Sequence, residues 1–132
     1  MIESDFTRAV HKKIPATVRK WKINDNFFGG VSDAFYRRLD GVGSPTWVEY
    51  KYIKALPKRE STLIVPKLSA QQRVWLEEAE AAGEKAFVIV GYKSKGVVYA
   101  LDELDGITCE EFQKRLQSYQ QLADVITASV QM

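Results

Sequence analysis

Apolar positions recur along the chain in two rhythms, and the switches between them mark out its elements. At about 100° per residue, Ile2, Phe6, Ala9, Val10 and Ile14 fall within one arc, which predicts an amphipathic helix over residues 2–14 closed by Pro15. Glu3 falls inside that same arc, where an unpaired carboxylate is costly to bury. Val18 to Ile23 alternates loosely and predicts a strand, and Asn24-Asp25-Asn26 supplies a turn. Gly29-Gly30 breaks the chain again before a strand over Val31 to Tyr36. After the turn Asp40-Gly41-Val42-Gly43-Ser44-Pro45, the run Thr46 to Ile53 is rich in β-branched and aromatic residues and gives the strongest strand signal.

From Lys54 to Lys67 two prolines and several basic residues predict a mobile connection. Ser69-Ala70-Gln71-Gln72 fits a capping box and opens a helix that runs to about Ala82 and stops at Gly83. Lys85 to Tyr92 and Gly96 to Leu101 form a predicted hairpin around Lys93-Ser94-Lys95, and a second capping box at Thr108-Cys109-Glu110-Glu111 opens a final helix to about residue 130. Phe112, Leu116, Tyr119, Ala123, Ile126 and Val130 line one side of that helix at alternating spacings of four and three. Either the chain's own sheet or a second copy of the chain covers that stripe. Helix, three strands, helix, two strands and helix add up to a single α/β sandwich spanning residues 1–132.

Composition narrows the functional classes. The longest apolar run, Ala86-Phe87-Val88-Ile89-Val90, is far below the roughly 18 residues of a membrane-crossing helix, so no membrane association is expected. Ile2-Glu3-Ser4-Asp5 is acidic where a secretory signal is basic, so a cytoplasmic protein is expected. The single cysteine, Cys109, excludes an internal disulfide or a thiolate cage, and the single histidine, His11, leaves little for a Ser/His/Asp triad. Net charge is +2, but residues 1–67 carry thirteen Lys or Arg against seven Asp or Glu, while residues 68–132 carry six against ten. A basic half of this kind suits a polyanionic partner.

Candidate chemistry sits on the strongest strand. Glu49 and Lys51 are two apart, so both side chains leave one face, with Trp47 and Ile53 as neighbours. Asp33 lies mid-strand between Val31 and Phe35, against the strand propensity of an Asp. Two acids that close repel each other unless a divalent cation or the lysine neutralises them. Such a set fits phosphodiester hydrolysis, in which carboxylates hold Mg²⁺ and an ammonium orients water or offsets negative charge. A plain cross-strand salt bridge accounts equally well for Glu49 and Lys51 taken alone.

The ordered set adds specificity. Glu3 on a first helix, Gly30-Val31-Ser32-Asp33 at a turn-to-strand junction, Glu49-Tyr50-Lys51 on the next strand and Leu68-Ser69-Ala70-Gln71 opening a helix resemble the PD-(D/E)XK nuclease superfamily. The VRR-NUC and archaeal Holliday-junction-resolvase branches are the most similar, over roughly residues 1–101, with the final helix at about 108–130 outside. Ser32 stands where the proline of the motif is expected. The resemblance implies a restriction-endonuclease-like core, a mixed central sheet of about five strands flanked by helices. It also implies that Asp33 and Glu49 are metal ligands, that the Tyr50 carbonyl completes the set, that Lys51 is the catalytic lysine, that Glu3 is the first-helix acid that in some branches ligates the metal directly or through water, and that Gln71 is the family's glutamine. On a helical wheel Gln71 groups with Val74, Trp75 and Ala82 on the inward arc, which Glu78 shares.

The implied activity is a Mg²⁺-dependent DNA endonuclease, with Mn²⁺ able to substitute, acting on branched or duplex DNA as a homodimer. Lys54, Lys58, Arg59 and Lys67 are the expected phosphate contacts. A non-catalytic DNA-binding module on the same fold and an RNA-directed nuclease are the alternatives.

Overall fold

Pro15 shortens the first helix. A residue preceding proline is pushed out of the α region, so α1 spans only Glu3–His11 in this computed structural model, which describes residues 2–23 and 33–131. Ile2 caps it, and the Asp5 carboxylate accepts from the Ile2 N–H. The expected turn at Asn24-Asp25-Asn26, the Gly29-Gly30 break and the strand start at Val31-Ser32 lie outside the described residues.

The chain continues through β1 (Val18–Lys22), β2 (Ala34–Arg38), β3 (Thr46–Tyr52), β4 (Leu63–Ile64), α2 (Ala70–Ala81), β5 (Lys85–Tyr92) and β6 (Lys95–Tyr99). A 3₁₀ turn, β7 (Ile107–Thr108), α3 (Cys109–Lys114), β8 (Gln117–Ser118) and α4 (Tyr119–Ser129) follow. Among the described residues six strands form one mixed sheet in the order β1-β2-β3-β5-β6-β8, and β4 pairs with β7 in a small second sheet. Among the described residues, only the central β3–β5 pair of the large sheet is parallel, joined through α2. β5 carries the five-residue apolar run and is buried on both faces, as the middle strand of a covered sheet must be.

Each face of the sheet has its own core. On one side α1 and α4 lay Phe6, Val10, Leu122, Ala123 and Ile126 against Tyr36, Val48, Tyr50 and Ile89. On the other, α2 and α3 bring Leu76, Ala79 and Phe112 against Val88, Val90, Val97 and Tyr99. Phe6 seats α1 on the hairpin: a Cβ added at Gly91 or at its register partner Gly96 would lie 2.8 or 2.7 Å from the Phe6 ring. Only glycine leaves the ring room there.

Three expectations are corrected. The stretch Lys54 to Lys67 is no loose connection, because Cys109 N–H donates to Thr62 O (2.8 Å), Glu110 N–H to Glu60 O (3.0 Å) and Tyr99 Oη to Ile64 O (2.8 Å). The final helix is two helices, split where Ser118 caps α4 with Gln121 in a capping box and where the Arg115 guanidinium turns to Glu103. Its apolar stripe is therefore divided: Phe112 packs into the α2-side core, and Ala123, Ile126 and Val130 pack into the α1-side core. The chain's own sheet covers the stripe. The extra strand β8, formed at that break, raises the sheet from about five strands to six.

Candidate active site

Register brings the acidic residues together. The antiparallel β2–β3 pairing sets Ala34 opposite Val48, so the residue before β2, Asp33, lies across from Glu49. The two strand segments are tied backbone to side chain in both directions, through Glu49 and its neighbour Tyr50. Asp33 N–H donates to Glu49 Oε1 (3.2 Å), and Tyr50 N–H donates to Asp33 Oδ2 (3.0 Å). N–H and C=O of a strand residue leave on the same side, so the Tyr50 carbonyl is aimed toward Asp33 as well.

Lys51 follows on the same face as Glu49. Its Nζ is 3.7 Å from Glu49 Oε2 and 3.5 Å from Gln72 Oε1, with the side chain 23% exposed. Glu49 itself is 1% exposed. Burial, then the neighbouring Asp33 carboxylate, push its carboxyl up to about 8, and Lys51 only partly offsets this. Glu3, half-buried at the start of α1, is raised from the ordinary carboxylate range by burial and by Asp33. The first-helix acid therefore stands at this cluster, with Lys51 and Lys22 among the charges acting on it.

The glutamine is displaced by one residue from the expected place. Gln71 is exposed on the outer side of α2, together with Val74, Glu78 and Ala82. Gln72 is the one that reaches the site, donating from Nε2 to Glu49 Oε2 (3.2 Å) while its Oε1 accepts from Ser69 N–H (3.0 Å). One position is a rotation of about 100°, enough to turn a side chain from cleft to solvent. Gln72, Trp75, Leu76 and Ala79 follow the i, i+3, i+4, i+7 spacing of a buried helix face. That spacing, read together with the capping box in which Gln72 is the third helical residue, is the signal that identifies it.

Of the four expected phosphate contacts, two stand at the cluster. A cleft of about 380 Å³ opens beside Lys51 and Glu3, walled by Tyr52, Pro66, Lys54 and Lys67. Lys58 and Arg59 are exposed but do not line it. Behind the cluster runs a hydrogen-bonded string absent from the sequence-based expectations: His11 Nε2 lies 2.6 Å from Tyr36 Oη, which lies 2.6 Å from Tyr50 Oη. Burial, helped by Lys20 and Lys22, lowers His11 to about 4. The string joins α1 to β2, which Asp33 immediately precedes, and to β3, which carries Glu49.

The donor set is one of hard oxygens. Among the described residues no three His, Cys, Asp or Glu side chains form a ready metal cage. Mg²⁺ does not need one, since it is held by one or two carboxylates and keeps water or phosphate oxygens in its other positions. A buried carboxylate facing a second acidic side chain fits a divalent cation, and Asp33 and Glu49, with the Tyr50 carbonyl, are the groups that could hold it.

No protein-family profile matches the chain, and no curated protein matches it. Among solved structures it is similar to Hjc of Archaeoglobus fulgidus, a Holliday junction resolvase from an archaeal hyperthermophile, with a TM-score of 0.57 at 14% sequence identity. The match covers 92% of this chain and 97% of that one. The mixed sheet and its flanking helices thus have a nuclease-like fold, and the likeness takes in more than residues 1–101.

Proposed function

We propose that the chain is a Mg²⁺-dependent DNA endonuclease that hydrolyses phosphodiester bonds by activated water, selective for branched DNA such as four-way junctions. The observation that carries this is the convergence of Asp33, Glu49 and Lys51, locked by reciprocal hydrogen bonds, on a resolvase-like fold. Asp33, Glu49 and the Tyr50 carbonyl would hold the cation, and Mn²⁺ offers the same oxygen-seeking chemistry. When bound, a divalent cation polarises the phosphate and lowers the pKa of a coordinated water. Lys51, held by Glu49 and Gln72, points its ammonium where it can orient that water or offset negative charge on the phosphate. Lys54 and Lys67 at the cleft wall neutralise flanking phosphates. No side chain becomes covalently attached to the substrate.

A homodimer suits a substrate with two strands to cut. The apolar stripe of the last helices cannot supply its interface, because both halves are buried within one chain.

The test is a cleavage panel on linear, flapped and four-way DNA, with Mg²⁺ or with EDTA. Cleavage is expected only with Mg²⁺ and fastest on branched substrates. Lys51→Ala is expected to reduce the rate at least 100-fold while DNA binding changes less than threefold, on the scale of losing a group that stabilises the transition state. Binding without cleavage in the unaltered protein would replace this proposal with the non-catalytic module.

A further inference from the structure

The outer face of β1 and β2 carries an ordered set of side chains that the carboxylate site does not use. Val18, Ala34 and Tyr36 are buried in the α1-side core, so alternation sends Arg19, Trp21, Phe35 and Arg37 to the opposite face. Register lines them into rows. Trp21 pairs with Phe35 and Phe35 with Trp47, giving ring centroids 6.4 and 4.7 Å apart, and Trp75 of α2 closes the row 5.5 Å from Trp47. Arg19 pairs with Arg37 in the next row on one side. Asp33 and Glu49 form the next row on the other, two residues from Phe35 and Trp47 along their strands.

The aromatic row is uncovered at one end. α2 packs over β5, and Trp21 remains 61% exposed at the far edge of the sheet. Charge differs between the two ends. Trp47 donates its indole N–H to Glu84 (2.7 Å) and Glu78 stands beside Trp75, so that end repels a polyanion. At the Trp21 end stand Arg19 and Arg37, neither ion-paired with a carboxylate among the described residues. Arg37 Nη1 donates to the Arg38 carbonyl (3.2 Å), and an exposed ring flanked by guanidinium groups that meet no carboxylate among the described residues has the parts of a single-strand platform, in which bases stack on the ring and phosphates meet the cations. A second copy of the chain is disfavoured there, since a two-fold contact centred on this edge would bring like charges together.

We infer that the Trp21–Phe35 edge, with Arg19 and Arg37, binds unpaired nucleotides of a branched nucleic acid one row away from the carboxylates. The inference rests on the nucleic-acid reading of that site and extends it to the kind of branch: one that offers a single-stranded segment beside the bond to be cut. Paired bases cannot stack on a side chain without being displaced, so the edge discriminates for unpaired strands and adds little to duplex affinity.

Binding measured in EDTA separates this from cleavage, since no metal-dependent step enters. An oligothymidylate of about twelve nucleotides, within the usual site size, is expected to quench tryptophan fluorescence. Trp21→Ala is expected to weaken its binding about tenfold while affinity for a blunt duplex changes less than twofold, and Trp21→Phe is expected to restore most of the loss. An abasic strand of the same length is expected to bind both proteins alike. Equal affinity of the Trp21→Ala and unaltered proteins for the oligothymidylate would overturn the inference, as would an equal loss on duplex and single strand. So would a change from dimer to monomer in sedimentation, with single-strand binding unaffected, since that would make the edge a contact between copies. Cleavage failing with Mg²⁺ while these binding differences persist would sink the catalytic proposal and leave the platform standing.

Discussion

Removing a carboxylate from water and setting a second one beside it costs several kcal/mol unless something neutralises the pair. Glu49 is in that position, and in the absence of a cation it takes up a proton at pH values where an ordinary glutamate has lost it. The folded state then binds a proton that the unfolded chain releases between about 4.5 and about 8, so the stability contributed by this group falls as pH rises through that window. A divalent cation held as proposed would compete with the proton for the same oxygens. Thermal stabilisation by Mg²⁺ is therefore expected to be larger at about pH 9 than at about pH 6. Melting curves of the parent and Glu49→Gln check this: the pH-dependent part should vanish in the variant. The glutamine gives a sharper contrast. Gln72→Ala is expected to lower cleavage about tenfold or more by releasing Lys51 and Glu49, whereas Gln71→Ala should stay within twofold. Reversed results in that pair of rates would move the glutamine back to the outer face of α2.

At the scale of elements, tight seating holds the site together. Phe6 fixes α1 against Gly91 and Gly96, and α1 carries Glu3 to the cluster. Gly91→Ala is expected to destabilise the fold by about 1–3 kcal/mol through overpacking, measured by denaturant unfolding, with Glu3 shifted and cleavage reduced. An unchanged midpoint would mean that the ring yields more easily than its surroundings suggest. Most of these elements were legible in the sequence because each carries a local signal. β3 announces itself by its β-branched and aromatic residues, α2 by Ser69 and Gln72, and the β5–β6 hairpin by its apolar run. The split between α3 and α4 is hidden in the sequence because the apolar stripe keeps its spacing across the break, although Ser118 and Gln121 supply a capping box of their own. Two-residue strands such as β4 and β8 have no pattern to read: their partners lie far along the chain, and pairing alone makes them. Gln71 looks inward on a helical wheel because Val74 lends its arc an apolar character, whereas the fold leaves Val74 49% exposed. Asp33, Glu49 and Lys51 come together as the spacing suggested, since strand alternation and a two-strand register leave few other arrangements.

For the molecule as a whole, the buried string from His11 to Tyr50 makes the fold sensitive to acid. His11 is neutral and hydrogen-bonded to Tyr36 in the folded chain, and its affinity for a proton is lowered to about 4. Below about 6.5 the unfolded chain takes up a proton that the folded chain does not, so stability is lost as pH falls from about 6.5 toward about 4. The loss is expected to be of order 2 kcal/mol. Urea titrations at several pH values in the parent and His11→Asn check it; an equal acid loss in both would place the sensitivity elsewhere.

The division of the core between the two ends of the chain bears on how the protein comes into being. Phe6 rests on Gly96, and its ring lies 5.7 Å from that of Tyr119, while Leu122 closes over the same spot. A polypeptide emerging from the ribosome therefore presents its first helix long before the last one exists to cover it. Contacts of such large sequence separation, together with the parallel β3–β5 pair, slow refolding and lengthen the time during which Phe6, Val10 and Tyr50 are open to wrong partners. A nascent chain halted before α4 should recruit chaperones that the finished protein ignores.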